Sequence, residues 1–583
     1  LETNRYKASA ALRSLQKQLK TADLCLVNRN NEQLFSTYNH NENDLFHLIG
    51  FEGSAGILTL RKQDIILWVD RRYLKVAKAQ YLDSQVQVRE QRHSSWLQEF
   101  LKPWSQRYRG RGGARIFIDR SKWSHHDIEV MIAEIESSTW EHKSFSPRTE
   151  VNVDREIDFP KQINPKEQLQ RLQHHLKPCE AMLLSCADDI AWATCTRAND
   201  YDYRRNLKAM ALICHHEAFL FSTLTPELSK RFQQERPCWK VLPKQEAWIN
   251  AIKTLIDRKK LTKVYTANHH RPGAICSQHM KQLIATGCNI VSQSRSLAEL
   301  GRLEKQDAEI SNMKRSQKKL AFLMGQIRSY LHSQIKNKRQ LSEIDLADKI
   351  QQLAIPIGAN RPCFPPIVAS GPNSCHPHHT PTQRIIQKGE PVLIDIGYYF
   401  DDALYATDMT RTFLSDNLSR PHPLLINVYT AVLKAFLAQY FYPITTDSTA
   451  SDLDAVGRDL LKPWEDIGFY FIHGTGHGVG ISDHELGLTI GEQSNLTLRP
   501  RLCYTLEPGV YLQGESTLPS KPTFGVRLED VVFVEQNGEH QQHQSLAAYP
   551  FEKCLIDLDQ FSSQEKALLD RYHQLCRKTV KQH

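Results

Sequence analysis

The chain predicts an α/β protein of three domains, two N-terminal α/β domains followed by a third of α+β character, on three observations. Strand and helix patterns alternate through the N-terminal stretch. The same order of elements restarts near Lys166. From about residue 300 a long amphipathic helix gives way to strands among which aspartates, glutamates and histidines recur. At 583 residues the chain is too long for one ordinary core, and the boundaries are expected at 1–155, 156–300 and 301–583.

Forty percent hydrophobic and 24% charged residues is an ordinary globular balance, and no apolar run is long enough to span a membrane. A net charge of +9, spread rather than clustered, fits a solvated surface and gives no reason to expect nucleic acid. Thirteen cysteines without CxxC pairs or regular spacing point to free thiols in a reducing compartment, so the cytoplasm is expected. The chain begins at Leu1 without an apolar signal core, consistent with a removed leader or tag.

In order, Leu12, Leu15 and Leu19 recur at helical spacing between Arg5 and Lys20, and Leu24 to Val27 reads as a buried strand. Gly50 to Leu60 and Asp64 to Gln80 supply a glycine-rich turn, strands and a helix. Proline and charge replace periodicity over 146–165, which marks a boundary. A helix, the run Glu180 to Asp200 and a strand at Ala209 to Cys214 then repeat the first domain's order without a strict sequence repeat. In the third domain Ile310, Met313, Leu320, Met324, Ile327 and Leu331 share one helix face, and Asp345 to Leu353 forms another helix. Strands dominate from Pro391, with a helix between Leu424 and Tyr440. Ser562 and Glu565 form a capping-box pattern before a folded tail helix.

The chemistry is organised around PVLIDIGYYFDDALYATDMTRTF, residues 391–413, whose halves read as the strands of a hairpin. With its tip at Asp401 and Asp402, Asp395 falls opposite Asp408 and both carboxylates point to one face. Two carboxylates so close need a shared proton, a neighbouring arginine or a divalent metal. FIHGTGHGVGISDHE adds His473, His477 and His484 among glycines that let backbone approach a ligand. In YTLEPGVY the proline after Glu507 places that carboxylate near a strand end. FGVRLEDVVFV reads as one strand with Arg527 and Glu529 on a common face, the arginine keeping the glutamate ionised.

Singly, each has a bland reading: a structural histidine, a helix cap, a surface ion pair. Together, Asp395, Asp408, Glu507 and Glu529 carry four negative charges, which two divalent cations balance. A metal pair roughly 3.5 to 4 Å apart can share a bridging hydroxide as nucleophile near neutral pH.

Residues 391–534 resemble the catalytic domain of the pita-bread metallopeptidases, through TDMTRT, HGTGHGVG, TLEPG and VRLED. SGPNSCHPHHT is similar to that family's segment bearing a substrate-side histidine, which falls on His378. GFEGSAG and LWVDRRY resemble the first domain of the three-domain Xaa-Pro aminopeptidases, DDIAWATCTRAND their second, and the run from Tyr549 to Lys578 their tail. The resemblance implies that Asp395 chelates one metal, His477 and Glu507 hold the other, and Asp408 and Glu529 bridge them. It also implies that Glu507 moves a proton from the attacking water to the leaving proline nitrogen. His378 and His484 would flank the scissile bond and His473 would line the proline pocket. Tyr511 joins the substrate-binding set and Arg527 the catalytic set.

Mn(II) is the metal the family implies, with Co(II) or Zn(II) as alternatives, and a homodimer is implied with it. Thirteen positions separate Asp395 from Asp408 where the family usually has eleven, and two added residues preserve the facing direction. The segment between Glu507 and Glu529 is longer than in the three-domain group, and that from His477 to His484 is shorter. Arg197 to Asp200 reads RAND where RGSD is common, and a difference in substrate-end recognition or subunit contacts is the expectation there.

The expected activity is removal of the N-terminal residue from peptides with proline in second position. A prolidase restricted to dipeptides is the alternative, disfavoured by the length and the tail. A non-catalytic peptide- or histone-binding module, or a metal-free creatinase-like hydrolase, is disfavoured because all five ligand positions are filled.

Overall fold

The computed structural model describes residues 9–30, 43–53, 55–91, 100–108, 115–135, 139–145, 156–160, 163–242, 248–267, 274–400, 405–513 and 522–580. They form two compact units, 1–159 with 164–300, and 160–163 with 301–583. Most of the expected boundary stretch at 146–165 lies outside the described residues. No described helix is long and apolar enough to cross a membrane.

The first unit holds two six-stranded sheets of one design. In the first, β1 (Leu24–Asn28), β2 (Ile57–Leu60), β3 (Ile65–Val69), β4 (Val86–Glu90), β5 (Arg115–Ile118) and β6 (Thr139–His142) lie in the order β4-β3-β2-β1-β5-β6. In the second, β7 (Glu180–Leu184), β8 (Ala209–Cys214), β9 (Ala218–Ser222), β10 (Lys240–Leu242), β11 (Lys263–Ala267) and β12 (Asn289–Gln293) lie in the order β10-β9-β8-β7-β11-β12. The senses of pairing also correspond. β1/β2 and β2/β3 are antiparallel like β7/β8 and β8/β9, and the remaining pairs are parallel in both sheets. The central strands β1 and β7 are apolar-rich and buried along their whole length, as strands covered on both faces require.

The second unit is built on the helix Asp307–Lys336, whose Ile310, Met313, Leu320, Met324, Ile327 and Leu331 are all buried. The helix Glu343–Ala354 starts at a capping box between Ser342 and Asp345. Three sheets carry the chemistry-bearing segments. The first orders Ile367–Ser370, Pro391–Ile396 and Met409–Leu414. The second orders Phe469–Tyr470, Gly509–Leu512 and Gly525–Arg527. The third orders Glu485–Ile490, Gly476–Gly478, Cys503–Leu506, Asp530–Asn537 and His540–Ser545. The helix Pro423–Tyr440 and the tail helix Ser563–Val580 close one core around Phe436, Tyr440, Phe551 and Tyr572. Ser562 and Glu565 exchange the expected capping bonds at 3.2 and 2.7 Å.

Two expectations are corrected. Asp395 faces Thr410, not Asp408, and the ladder ends at Ile396 with Met409. The next residue is Gly397, where a Cβ would sit 2.1 Å from the Thr407 carbonyl oxygen, so the chain passes too close for any side chain. Beyond it Tyr398–Phe400 leaves to pair with Ala359–Pro362, and the expected tip at Asp401 and Asp402 lies outside the described residues. The offset is two residues, so Asp395 and Asp408 keep a common face. The FGVRLEDVVFV segment is two strands in two sheets, interrupted at Leu528 and Glu529, whose amides donate to the carbonyls of Pro508 and Thr410.

Candidate metal centre

Asp408, Glu507 and Glu529 are held where strands begin or end, whereas His477 is the middle residue of Gly476–Gly478. Asp408 directly precedes the strand Met409–Leu414. Gln317, buried on the long helix, clamps it by donating to the Asp408 carbonyl at 2.5 Å and accepting from its N–H at 3.3 Å. The His477 amide donates to Thr505 Oγ1 at 3.0 Å, while Glu507 follows the strand Cys503–Leu506 and donates its amide to the Thr475 carbonyl at 2.8 Å. Glu529 sits in the strand break and accepts from Thr410 Oγ1 at 2.6 Å.

Ligand atoms of Asp408, His477 and Glu529 lie within 4.8 Å of one another. His477 Nε2 is 3.4 Å from Glu507 Oε1 and 3.7 Å from Asp408 Oδ2. Its Nδ1 faces two carbonyls, Gly478 at 3.2 Å and Asp483 at 3.1 Å, so Nδ1 carries the proton and the Nε2 lone pair faces carboxylates. Burial, reinforced by His484, pushes the His477 pKa down to about 3, so the ring is neutral at ordinary pH. A lone pair aimed at two carboxylates is repulsive unless a proton or a metal cation stands between them.

Asp395 joins the group through Arg527, whose Nη2 donates to Asp395 Oδ2 at 2.6 Å. Asp395 Oδ1 is buried without a hydrogen-bond partner, an atom left for something outside the chain. Arg527 was expected to keep Glu529 ionised; instead its direct bond goes to Asp395. Burial first, then the charges of Glu507 and Asp395, hold the Glu529 pKa well above the usual carboxylate range. Burial and the charges of Glu529 and Asp395 do the same to Asp408. Glu507 is raised to about 7, chiefly by burial, with Arg527 opposing. An oxygen-rich set with a single imidazole, carrying more negative charge than one arginine offsets, fits hard or borderline divalent cations.

The remaining candidates surround this group. His473 donates Nδ1–H to the Gly474 carbonyl at 2.8 Å and accepts at Nε2 from the Tyr511 hydroxyl at 2.8 Å. Tyr511 in turn accepts from Arg527 Nη1 at 2.7 Å. His473 also packs edge-on against Phe471, ring centroids 5.0 Å apart, and lies 3.9 Å from Glu507 Oε2. His484 is half-exposed, stacks on His477 at 3.7 Å and meets Asp483 Oδ2 at 3.0 Å. His378 is exposed and follows Pro377, whose carbonyl accepts from Arg527 Nη2 at 3.4 Å.

Several participants were not singled out from the sequence. Thr410 bonds Glu529 and accepts from Arg527 Nε at 3.1 Å. Thr505 accepts from His477 and approaches Glu507 Oε1 at 3.3 Å. Asp454 accepts the Thr475 amide at 3.0 Å and pairs with Arg458, which donates to the Phe471 and His473 carbonyls at 3.1 and 2.5 Å. Gln317 alone carried a sequence signal, a polar residue on the helix face that holds Met313, Leu320 and Met324, and that signal also has an ordinary reading.

The sequence model of metallopeptidase family M24 matches residues 311–536. A putative Xaa-Pro aminopeptidase of Mycoplasma genitalium is 34% identical over 199 residues, 34% of this chain and 52% of that protein. This chain thus aligns with about half the length of that relative. A probable Xaa-Pro aminopeptidase P of Sordaria macrospora is 26% identical over 98% of this chain and 95% of its own length. Among solved structures, the X-prolyl aminopeptidase of Caenorhabditis elegans, described as a cytosolic enzyme with a di-nuclear active site, superposes with a TM-score of 0.81. It covers 96% of this chain and 92% of that one at 20% identity, a likeness of fold.

Proposed function

We propose, from the match of residues 311–536 to the model of metallopeptidase family M24, that the chain is a metal-dependent aminopeptidase that hydrolyses the bond between an N-terminal residue and a following proline. The observation that carries this reading is the His477 lone pair facing Glu507 and Asp408 beside Glu529, a buried donor set that bound cations would balance once its carboxyls give up their protons. Asp395 would hold one divalent ion, His477 and Glu507 a second, and Asp408 and Glu529 both. Mn(II) is our first choice for oxygen-rich ligation, and Co(II) or Zn(II) suit the same donors. Such ions, when bound, lower the pKa of water and so supply a nucleophile at neutral pH.

The chain's own side chains would do the rest. Glu507, beside the Nε2 of His477, takes a proton from the attacking water and delivers it to the proline nitrogen. That nitrogen has no N–H and leaves as an amine only once protonated. Arg527 bonds Asp395 and orients Tyr511, which fixes His473 with its proton on Nδ1. The His473 ring and Phe471 offer an apolar wall suited to a proline ring. His378 and His484, both exposed, would flank the scissile bond and donate to the oxyanion, a reading supported by the contact of Pro377 with Arg527 and the stacking of His484 on His477.

We divide the chain at 155 and 300, supported by the separate sheets of its N-terminal unit, and read it as a cytoplasmic homodimer. All thirteen cysteines are free thiols, in keeping with a reducing compartment. The alignment over nearly the full length of an aminopeptidase P relative favours longer peptides over dipeptides. The test is cleavage of Arg-Pro-Pro against Arg-Pro after metal loading. Asp408→Ala and Glu529→Ala are expected to abolish turnover while the protein stays folded. A variant that keeps most of its turnover would overturn the assignment.

A further inference from the structure

The histidine-bearing segment from Ser370 to Thr382 has no strand ladder beyond Ser370 to hold it. It is tied instead to one carboxylate. Glu343, the first residue of the helix Glu343–Ala354, is fully buried and spreads its two oxygens across the whole segment. Oε1 accepts from the Ser370 amide and hydroxyl, both at 2.8 Å, and from Asn373 Nδ2 at 3.0 Å. Oε2 accepts from His379 Nε2 at 2.8 Å, the Thr382 amide at 3.0 Å and the Thr382 hydroxyl at 2.7 Å, with Asn373 shared at 3.1 Å. Both ends and the middle of the segment therefore converge on one side chain, placed where the helix dipole favours a negative charge. Burial alone would raise the Glu343 pKa, but the bonds and charge of His379 with those of Ser370 and Thr382 bring it down to about 2, so it is ionised at all working pH.

The arc between these anchors is the part that reaches the metal centre. Ser374 Oγ accepts from the Gly525 amide at 2.9 Å, and a Cβ at Gly525 would lie 2.3 Å from the Ser374 carbonyl oxygen, so the arc rests directly on the strand leading to Arg527. Pro377 presents its carbonyl to Arg527, the residue that also holds Asp395. His379 turns inward to Glu343 while its neighbour His378 is exposed. An acceptor saturated by donors on both sides of the arc leaves it one conformation, and unmaking those bonds would strand the buried Ser370 donors together with part-buried ones at Asn373, His379 and Thr382.

We propose that Glu343 is a positioning residue: by gathering Ser370, Asn373, His379 and Thr382 it sets the 374–378 arc against Arg527 and thereby aims His378 at the scissile bond. This rests on the proposed peptidase function for its kinetic readout, though not for its structural one.

The test uses the metal-loaded full chain with Glu343→Gln, His378→Ala and the double variant. Glu343→Gln is expected to lower kcat on Arg-Pro-Pro roughly 10- to 100-fold, the scale of a reacting group displaced by about an ångström. Metal content should equal the wild type's, and His378→Ala should add little in the Glu343→Gln background, because both changes remove the same contribution. Amide exchange should quicken across 374–380 and stay unchanged across 409–414. A Glu343→Gln protein with wild-type kcat, or one whose loss multiplies independently with that of His378→Ala, overturns the proposal. Should Glu343→Gln not fold, Thr382→Val and Asn373→Ala remove single donors, and undiminished kcat in both overturns it equally. If the wild type itself fails to cleave Arg-Pro-Pro, the peptidase reading falls. The exchange comparison then still decides whether Glu343 holds the arc.

Discussion

His477 shows how a side chain's chemistry is set by what surrounds it. Its Nδ1 proton is committed to two carbonyls, its ring is kept neutral by burial, and its remaining lone pair is left toward carboxylates. The acidic partners respond in the opposite sense, and their linkage gives a pH dependence. In the metal-free protein Glu507 titrates near 7 rather than near 4.5, so between these values the folded state holds a proton the unfolded chain has released. Stability of the metal-free form therefore falls as pH rises through that window, and a cation that displaces the proton restores it. The thermal shift on adding Mn(II) should accordingly be larger at pH 8 than at pH 5 by scanning calorimetry; equal shifts would contradict this. The acidic candidates, and the histidines of FIHGTGHGVGISDHE, were legible because they stand in segments that mix acid or imidazole with glycine, while His378 was legible through its family segment alone. Gln317 and Thr410 were not, since a glutamine on a helix and a threonine in a strand have ordinary readings. What makes Gln317 matter is a backbone group 91 positions away. Gln317→Ala should cost about 1–3 kcal/mol in denaturant unfolding, the price of unmade buried bonds, and weaken metal affinity with it.

At the level of elements, side-chain direction was easier to read than register. Alternation told which face Asp395 and Asp408 share, but the pairing is set by where the ladder must stop, and that is decided by the backbone contact at Gly397 with Thr407. The break after Arg527 was hidden for a similar reason. An apolar run is continuous in sequence, yet the chain changes sheets at Leu528 because Glu529 must present its amide to Thr410. The tail helix was visible from its capping box, while its attachment was not. Tyr572 donates to Asp530 Oδ2 at 2.6 Å, and Asp530 accepts from the buried Arg411 at 2.8 Å, one residue from Thr410 and one from Glu529. Tyr572→Phe should destabilise the protein by roughly 1–3 kcal/mol, since it unmakes a hydrogen bond to a buried charged group. Unchanged urea unfolding would mean the tail adds packing only.

Across the whole chain, the two N-terminal sheets repeat one strand order and one set of pairing senses with no strict sequence repeat to announce it. Topology is specified by which strands are buried on both faces and by the chirality of their connections, and many sequences satisfy those conditions. The C-terminal unit differs in kind: its specific residues, more than its hydrophobic pattern, carried the reading, and its sheets bring segments from Asp395 to Glu529 to one centre. Metal stoichiometry tests that convergence most directly. Metal-free protein titrated with Mn(II), followed by calorimetry and by Arg-Pro-Pro cleavage on the same sample, should bind two ions per chain and regain activity only as they bind. Binding of one ion or none, or cleavage that survives complete chelation, would contradict the account.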